Sequence, residues 1–188
     1  MTLLVLGILL WCVVHLIPTL GKGLKSFLIE RLGDSAYRGL FSLAIIASLV
    51  MIIYGWRTTE PINIYVPPQW GVHANNVFML WALFLFVASQ MPTRLRRSVR
   101  HPMLSGVTIW GSAHILANGD QRSMIVFGAL TFWSVLEMIL INVRDGEWIS
   151  EEEVSLQNDL IAFAVTVVVF FVITFLHKLV GVSPFPFI

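Results

Sequence analysis

Long runs of apolar residues, broken only by short charged clusters, leave this chain few ways to fold. A helix needs about 20 mostly apolar residues to cross the hydrocarbon layer of a bilayer. The stretches that approach this length are Thr2 to Leu20, Gly39 to Trp56, Val72 to Met91, Pro102 to Asn118, Ser123 to Asn142 and Leu160 to Val180. The fourth is short and opens on proline, which suits a first helical turn. A soluble domain coats itself with about 25% charged residues. Here only 12% of 188 residues are charged and 57% are hydrophobic. Lipid is the solvent such a composition implies. The expected fold is all-α, a polytopic transmembrane helix bundle of about six spans, with residues 1–188 forming one domain and no soluble domain, low-complexity tract or tandem repeat.

Basic residues set an expected direction. Lys22, Lys25, Arg31 and Arg38 follow the first span, and Arg94, Arg96, Arg97 and Arg100 follow the third. The intervening loops hold only Arg57 and Arg122. Cytoplasmic loops are enriched in Lys and Arg, so this alternation predicts an N-terminus outside. The acidic fifth loop, with Asp145, Glu147 and Glu151 to Glu153, opposes it weakly, because acidic residues count little in that rule. No basic residue precedes the first span, which is therefore expected to be a retained anchor. Trp56, Trp70 and Trp148 fall near span ends, as an aromatic belt requires. Asn118-Gly119-Asp120 suits a tight turn between spans four and five. The segment from Thr58 to Gly71, with Pro61, Pro67 and Pro68, should be irregular and folded onto the outer surface.

Ionisable groups inside a span are costly and point to function. His15, His114, Glu137 and His177 qualify. Trp11 precedes His15 by four residues and Trp110 precedes His114 by four, so each indole shares a helix face with its imidazole. An aromatic plane beside a neutral imidazole can wall a planar cofactor, and histidine is a usual axial ligand of haem iron. A lone histidine in a membrane helix is more commonly a hydrogen-bonded packing residue. By helical rise, His15 lies about 8 Å from the basic end of its span and His114 about 18 Å from that end of its own. The offset of about 10 Å could be bridged by two imidazoles and an iron. His101, at the start of span four, is the alternative partner of His15, while His177 reads as an interfacial residue. Glu137 should lie as deep as His15, with His15, His101 or a third-loop arginine as its partner; an ion pair and proton handling both remain open. Net charge is +1, which gives no basis for nucleic-acid binding. Cys12 is the only cysteine, excluding an intrachain disulfide, a covalent haem attachment and a cysteine-rich zinc site.

Arg100-His101-Pro102-Met103-Leu104-Ser105-Gly106, followed by Trp110 and Ala113-His114-Ile115-Leu116-Ala117-Asn118-Gly119-Asp120, resembles the signature of the NnrU family. Trp11 to Pro18, Tyr37-Arg38-Gly39-Leu40-Phe41 and Gly55-Trp56-Arg57 are similar to other parts of that family, and the likeness runs from the first span to at least the fifth. The resemblance implies a bacterial membrane protein linked to nitrite and nitric oxide metabolism in denitrification. It also implies kinship with the plant 15-cis-zeta-carotene isomerase, a membrane haem b protein with histidine iron ligands and redox-dependent isomerisation. Carried over by position, His15 and His114 become the first ligand pair, His101 the alternative, and Trp11 and Trp110 the flanking rings. Arg100, Asn118, Asp120 and Glu137 are the other polar candidates. The expected partners are membrane lipid and a small hydrophobic substrate or nitric oxide.

Arg100-His101-Pro102 with Gly106 is similar, too, to a motif of isoprenylcysteine carboxyl methyltransferases that helps bind S-adenosylmethionine. Leu104 stands where that motif has tyrosine, and Glu151-Glu152 echoes its later acidic pair only loosely. A non-catalytic membrane scaffold is the third reading. Transport has less support, because no inverted repeat or broken-helix pair is evident.

Overall fold

Spanning helices place large apolar side chains in lipid and keep small or polar ones for their neighbours. The computed structural model, which describes residues 1–149, 153–179 and 181–185, follows that rule. Its helices are α1 (Thr2–Leu20), α2 (Lys22–Leu32), α3 (Asp34–Thr58), α4 (Gly71–Ser89), α5 (Arg94–Ser98), α6 (Pro102–Ala117), α7 (Gln121–Asp145) and α8 (Leu156–Leu179). Ser48, Ser123, Ser134 and Thr166 are fully buried, whereas Phe132 is 70% exposed and Leu43, Ile46, Val168 and Phe171 are exposed as well. In water that pattern would be inside out. In a bilayer it is the expected one, and the protein is an integral membrane protein.

Close helix approach is bought with glycine. A Cβ on Gly55 would lie 2.7 Å from the Leu4 Cα, and one on Gly7 would lie 2.9 Å from the Ile52 nitrogen. Both contacts belong to the α1–α3 pair, in the half of α1 nearest Met1. Each of the two central helices has two main neighbours: α7 packs on α1 and α6, and α6 on α7 and α4. α3 lies against α1 and only lightly against α7, and α8 lies against α4.

The structure departs from the sequence reading in three places. Residues 22–32 form a helix, because Leu24, Phe27, Leu28 and Leu32 recur at helical spacing among good helix formers. Gly33 then turns the chain at φ +83°, and α3 begins at Asp34, before the expected Gly39. Among the described residues, five helices are long and apolar enough to span a bilayer. The expected fourth span, α6, has 16 residues, or about 24 Å of rise. It falls short of a ~30 Å core, and its last turn is instead held by side chains of the protein. The last expected span ends at Leu179; Val180 lies outside the described residues, as do Glu151 and Glu152.

The segment between α3 and α4 closes one end of the bundle, as its prolines lead one to expect. Gln121 N–H donates to the Ile62 carbonyl and Ile64 N–H to that of Gly119, each at 2.8 Å. The Tyr65 phenol donates to the Ile115 carbonyl in the last turn of α6. Burial pushes the Tyr65 phenol up from its ordinary value, so it remains a donor at neutral pH. At the other end gather Lys22, Lys25, Arg31, Arg94, Arg97 and Arg100, hereafter the basic end.

Candidate functional site

Residues four apart on three helices meet near the basic end. On α1, Trp11, His15 and Thr19 share one face; on α7, Trp133 and Glu137 do; on α3, Tyr37 and Phe41 do. The His15 ring lies 4.2 Å from that of Trp11, 4.9 Å from Trp133 and 5.9 Å from Phe41, centroid to centroid. Trp11 meets Trp133 edge-on at 5.6 Å, and Tyr37 lies 6.2 Å from Phe41. The Thr19 hydroxyl donates to Glu137 Oε1. Glu137 is only 6% exposed, and His15 lies within electrostatic reach of it.

That hydroxyl is a partner the sequence reading did not name. Of the partners it offered, His101 instead pairs its Nε2 with Asn142 Oδ1 at 2.9 Å, and Arg100 donates to the Gly146 carbonyl at 2.6 Å. Both tie the start of α6 to the end of α7. Arg94 likewise reaches the Val154 carbonyl at 3.1 Å.

His114 has its own aromatic setting. Its ring stacks on Phe127 of α7 at 4.5 Å and lies 5.3 Å from Trp110, which in turn meets Phe127 at 4.9 Å. His177 of α8 lies within electrostatic reach. Asn118 donates its side-chain N–H to the His114 carbonyl at 2.8 Å, closing the last turn of α6.

His15 and His114 share one more feature. The Nδ1 of each stands 2.9 Å from the backbone carbonyl four residues earlier, that of Trp11 or of Trp110. A carbonyl only accepts, so in the neutral ring Nδ1 carries the hydrogen and Nε2 keeps its lone pair. His177 is held the same way against Ile173.

Helix α7 relates the two histidines. Trp133 and Glu137 face α1, while Phe127, Thr131, Ser134 and Met138 face α6: Ser134 Oγ lies 2.8 Å from Thr108 Oγ1, and Ser105 Oγ points to Met138 sulphur at 3.7 Å. At 100° per residue these faces are about 100° apart, adjacent sides of one helix. From Phe127 to Trp133 the axial rise is about 9 Å. The two histidines thus stand on two helices that flank α7 without packing extensively on each other. Each touches its own set of rings.

Asp120 and Arg122 belong to the closed end. Asp120 Oδ1 caps α7 through Ser123 N–H at 3.0 Å, and its Oδ2 accepts from the Ser123 hydroxyl at 2.6 Å. Arg122 donates to the Trp56 and Thr59 carbonyls at 3.0 and 2.8 Å and covers the Trp56 ring at 3.9 Å. This clamp explains Asp120 structurally, and it gives Trp56 a partner besides the membrane interface. Among the described residues no three His, Cys, Asp or Glu side chains converge as a protein-only metal site.

Sequence reasoning passed over Thr19, Phe127 and Trp133, and met Tyr37 and Phe41 only within the family motif, not as site residues. The signal was the one that revealed His15 and His114: Trp133 precedes Glu137 by four residues, and Thr19 follows His15 by four.

No curated protein and no solved structure matches the chain significantly. The family model described as NnrU protein matches residues 3–184, nearly the whole length, and the chain therefore belongs to the NnrU family.

Proposed function

We propose that this NnrU-family membrane protein binds haem b between α1 and α6, with His15 and His114 as axial ligands and Trp11 and Trp110 beside them. The observation that carries the reading is the shared state of the two imidazoles. Each has its Nδ1–H fixed by a backbone carbonyl, which orients the ring and leaves Nε2 to ligate, as second-shell hydrogen bonds do in metal sites. His15 and His114 would hold the haem iron from the two helices that flank α7, and their ring contacts on that helix are about 9 Å apart along its axis. Both residues are half-buried on helices that flank a common third. When bound, haem would supply redox chemistry and, where one histidine gives way, a coordination position for a small ligand. The chain's own part is to orient both imidazoles, exclude water with aromatic side chains, and admit a small gas such as nitric oxide or a hydrophobic substrate from the bilayer.

The functional context we propose is nitrite or nitric oxide metabolism or isomerase-like redox chemistry, in a bacterial inner membrane with the N-terminus outside. His101 is the less favoured ligand, since its Nε2 is already held by Asn142. The test is the absorption spectrum of protein purified in mild detergent from a haem-replete host. A stoichiometric b-type Soret band is expected in the wild type, falling at least tenfold in the His15→Ala, His114→Ala double variant. A colourless, folded wild type would sink the reading. Labelled S-adenosylmethionine retained by such a protein would then favour the methyltransferase alternative, and its absence a scaffold.

A further inference from the structure

The α1–α3–α7 interface holds more unsatisfied polarity than a packed membrane interior tolerates. Trp133 is 5% exposed, Glu137 6% and Tyr37 8%, yet the Trp133 Nε1–H, Glu137 Oε2 and the Tyr37 hydroxyl are buried without a hydrogen-bond partner. The Trp11 Nε1–H is in the same condition. Each such group costs about 1–3 kcal/mol when buried unpaired. Trp11, Trp133 and Tyr37 are joined through the rings of His15 and Phe41, and Glu137, one turn beyond Trp133 on α7, meets α1 through the Thr19 hydroxyl.

What would satisfy them follows from their types. Two indoles only donate, a carboxylate oxygen accepts, and a phenol does either. The complement is a small head that both accepts and donates, on a frame flat and apolar enough to lie among tryptophan and phenylalanine rings. An anionic headgroup is opposed by Glu137. An ammonium group would satisfy the carboxylate but leave the indole and phenol donors unmet. The close glycine contacts between α1 and α3 are confined to Gly7 and Gly55, while the basic-end half of that interface is built from Trp11, His15, Tyr37 and Phe41, rings that must part to admit a flat guest because the unpaired atoms are sealed between them. Beside it, Val13, Leu20 and Leu40 are exposed to lipid, so a ligand dissolved in the bilayer reaches the cluster without crossing water.

We propose that the indole, phenol and carboxylate groups of Trp133, Trp11, Tyr37 and Glu137 bind the dihydroxy ring of a membrane-soluble isoprenoid quinol. The ring oxygens accept from an indole N–H and from the Tyr37 hydroxyl, and one ring hydroxyl donates to Glu137 Oε2. No residue of α6 takes part; Trp11 also flanks the haem proposed above, so the two sites adjoin along α1, while Glu137, Tyr37 and Trp133 serve the quinol alone.

The probe is decyl-ubiquinol, held anaerobically and titrated against the full-length protein in phosphatidylcholine nanodiscs, with bound ligand measured after equilibrium dialysis. Saturable one-to-one binding is expected in the wild type. Glu137→Gln, Trp133→Phe and Tyr37→Phe each preserve shape and remove one hydrogen-bonding capacity; each should weaken binding about tenfold, the worth of one hydrogen bond of ordinary strength. Val168→Ala, on the lipid-facing side of α8 and outside both proposed sites, should bind as the wild type does. No saturable binding by the wild type, or unchanged affinity in all three isosteric variants, overturns the proposal. So does an equal loss of binding in Val168→Ala, because the site contains nothing from α8. A missing Soret band with quinol binding intact would remove the haem reading alone.

Discussion

Three aromatic–polar pairs at four-residue spacing, Trp11–His15, Trp110–His114 and Trp133–Glu137, carry most of the chemistry proposed for this protein. The spacing makes each pair a single surface on its helix, and the backbone carbonyl of the tryptophan fixes the histidine ring in the first two. Glu137 differs, since its contact is a hydroxyl from another helix. A buried carboxylate that loses such a donor is costly, whereas one replaced together with its donor is not. Thr19→Val should therefore lower stability by about 1–3 kcal/mol, read as a fall in melting temperature in detergent. Adding Glu137→Leu to it should restore most of that loss. An unchanged melting temperature in Thr19→Val would show that the hydroxyl does not hold the carboxylate.

At the scale of elements, membrane helices lack the hydrophobic drive that joins helices in water, and small residues decide how closely they meet. Gly55 of α3 is the tightest test that the structure offers. Gly55→Ala forces a methyl group onto the Leu4 backbone and should cost about 1–3 kcal/mol by overpacking. Gly39→Ala, on the same helix, meets nothing within 4 Å and should be neutral or stabilise by up to about 1 kcal/mol through helix propensity. Equal melting temperatures for the two would contradict the α1–α3 packing. The short α6 makes a related point. Its last turn is held by the Tyr65 phenol and the Asn118 amide, so the segment between α3 and α4 supplies what additional helical turns would otherwise provide.

For the whole molecule, the expected crossings put α2 and the segment around Val66 on opposite sides of the membrane. Val66 is 91% exposed and Leu24 is exposed too, so both positions are open to labelling. In a Cys12→Ala background, Val66→Cys should react with an impermeant maleimide in intact cells, and Leu24→Cys only after permeabilisation. The reverse pattern would invert the topology, and labelling on one side only would remove a crossing. Most segment positions and the histidine pairs were legible from local facts: the thickness of a hydrocarbon layer, the rise of a helix and its 3.6-residue turn; the expected fourth span proved too short to count by length alone. The helix at residues 22–32 was equally local in its leucine spacing, but was obscured by basic residues that read first as a loop. What the chain did not disclose is which helices touch. Leucine packs against lipid tails about as well as against another helix, so no apolar stripe marks the face that turns inward. The Thr19–Glu137 contact, the adjacent placement of His15 and His114 around α7, and the gathering of unpaired polar groups between α1, α3 and α7 were decided by tertiary packing, because each depends on which small-residue faces the helices bring together.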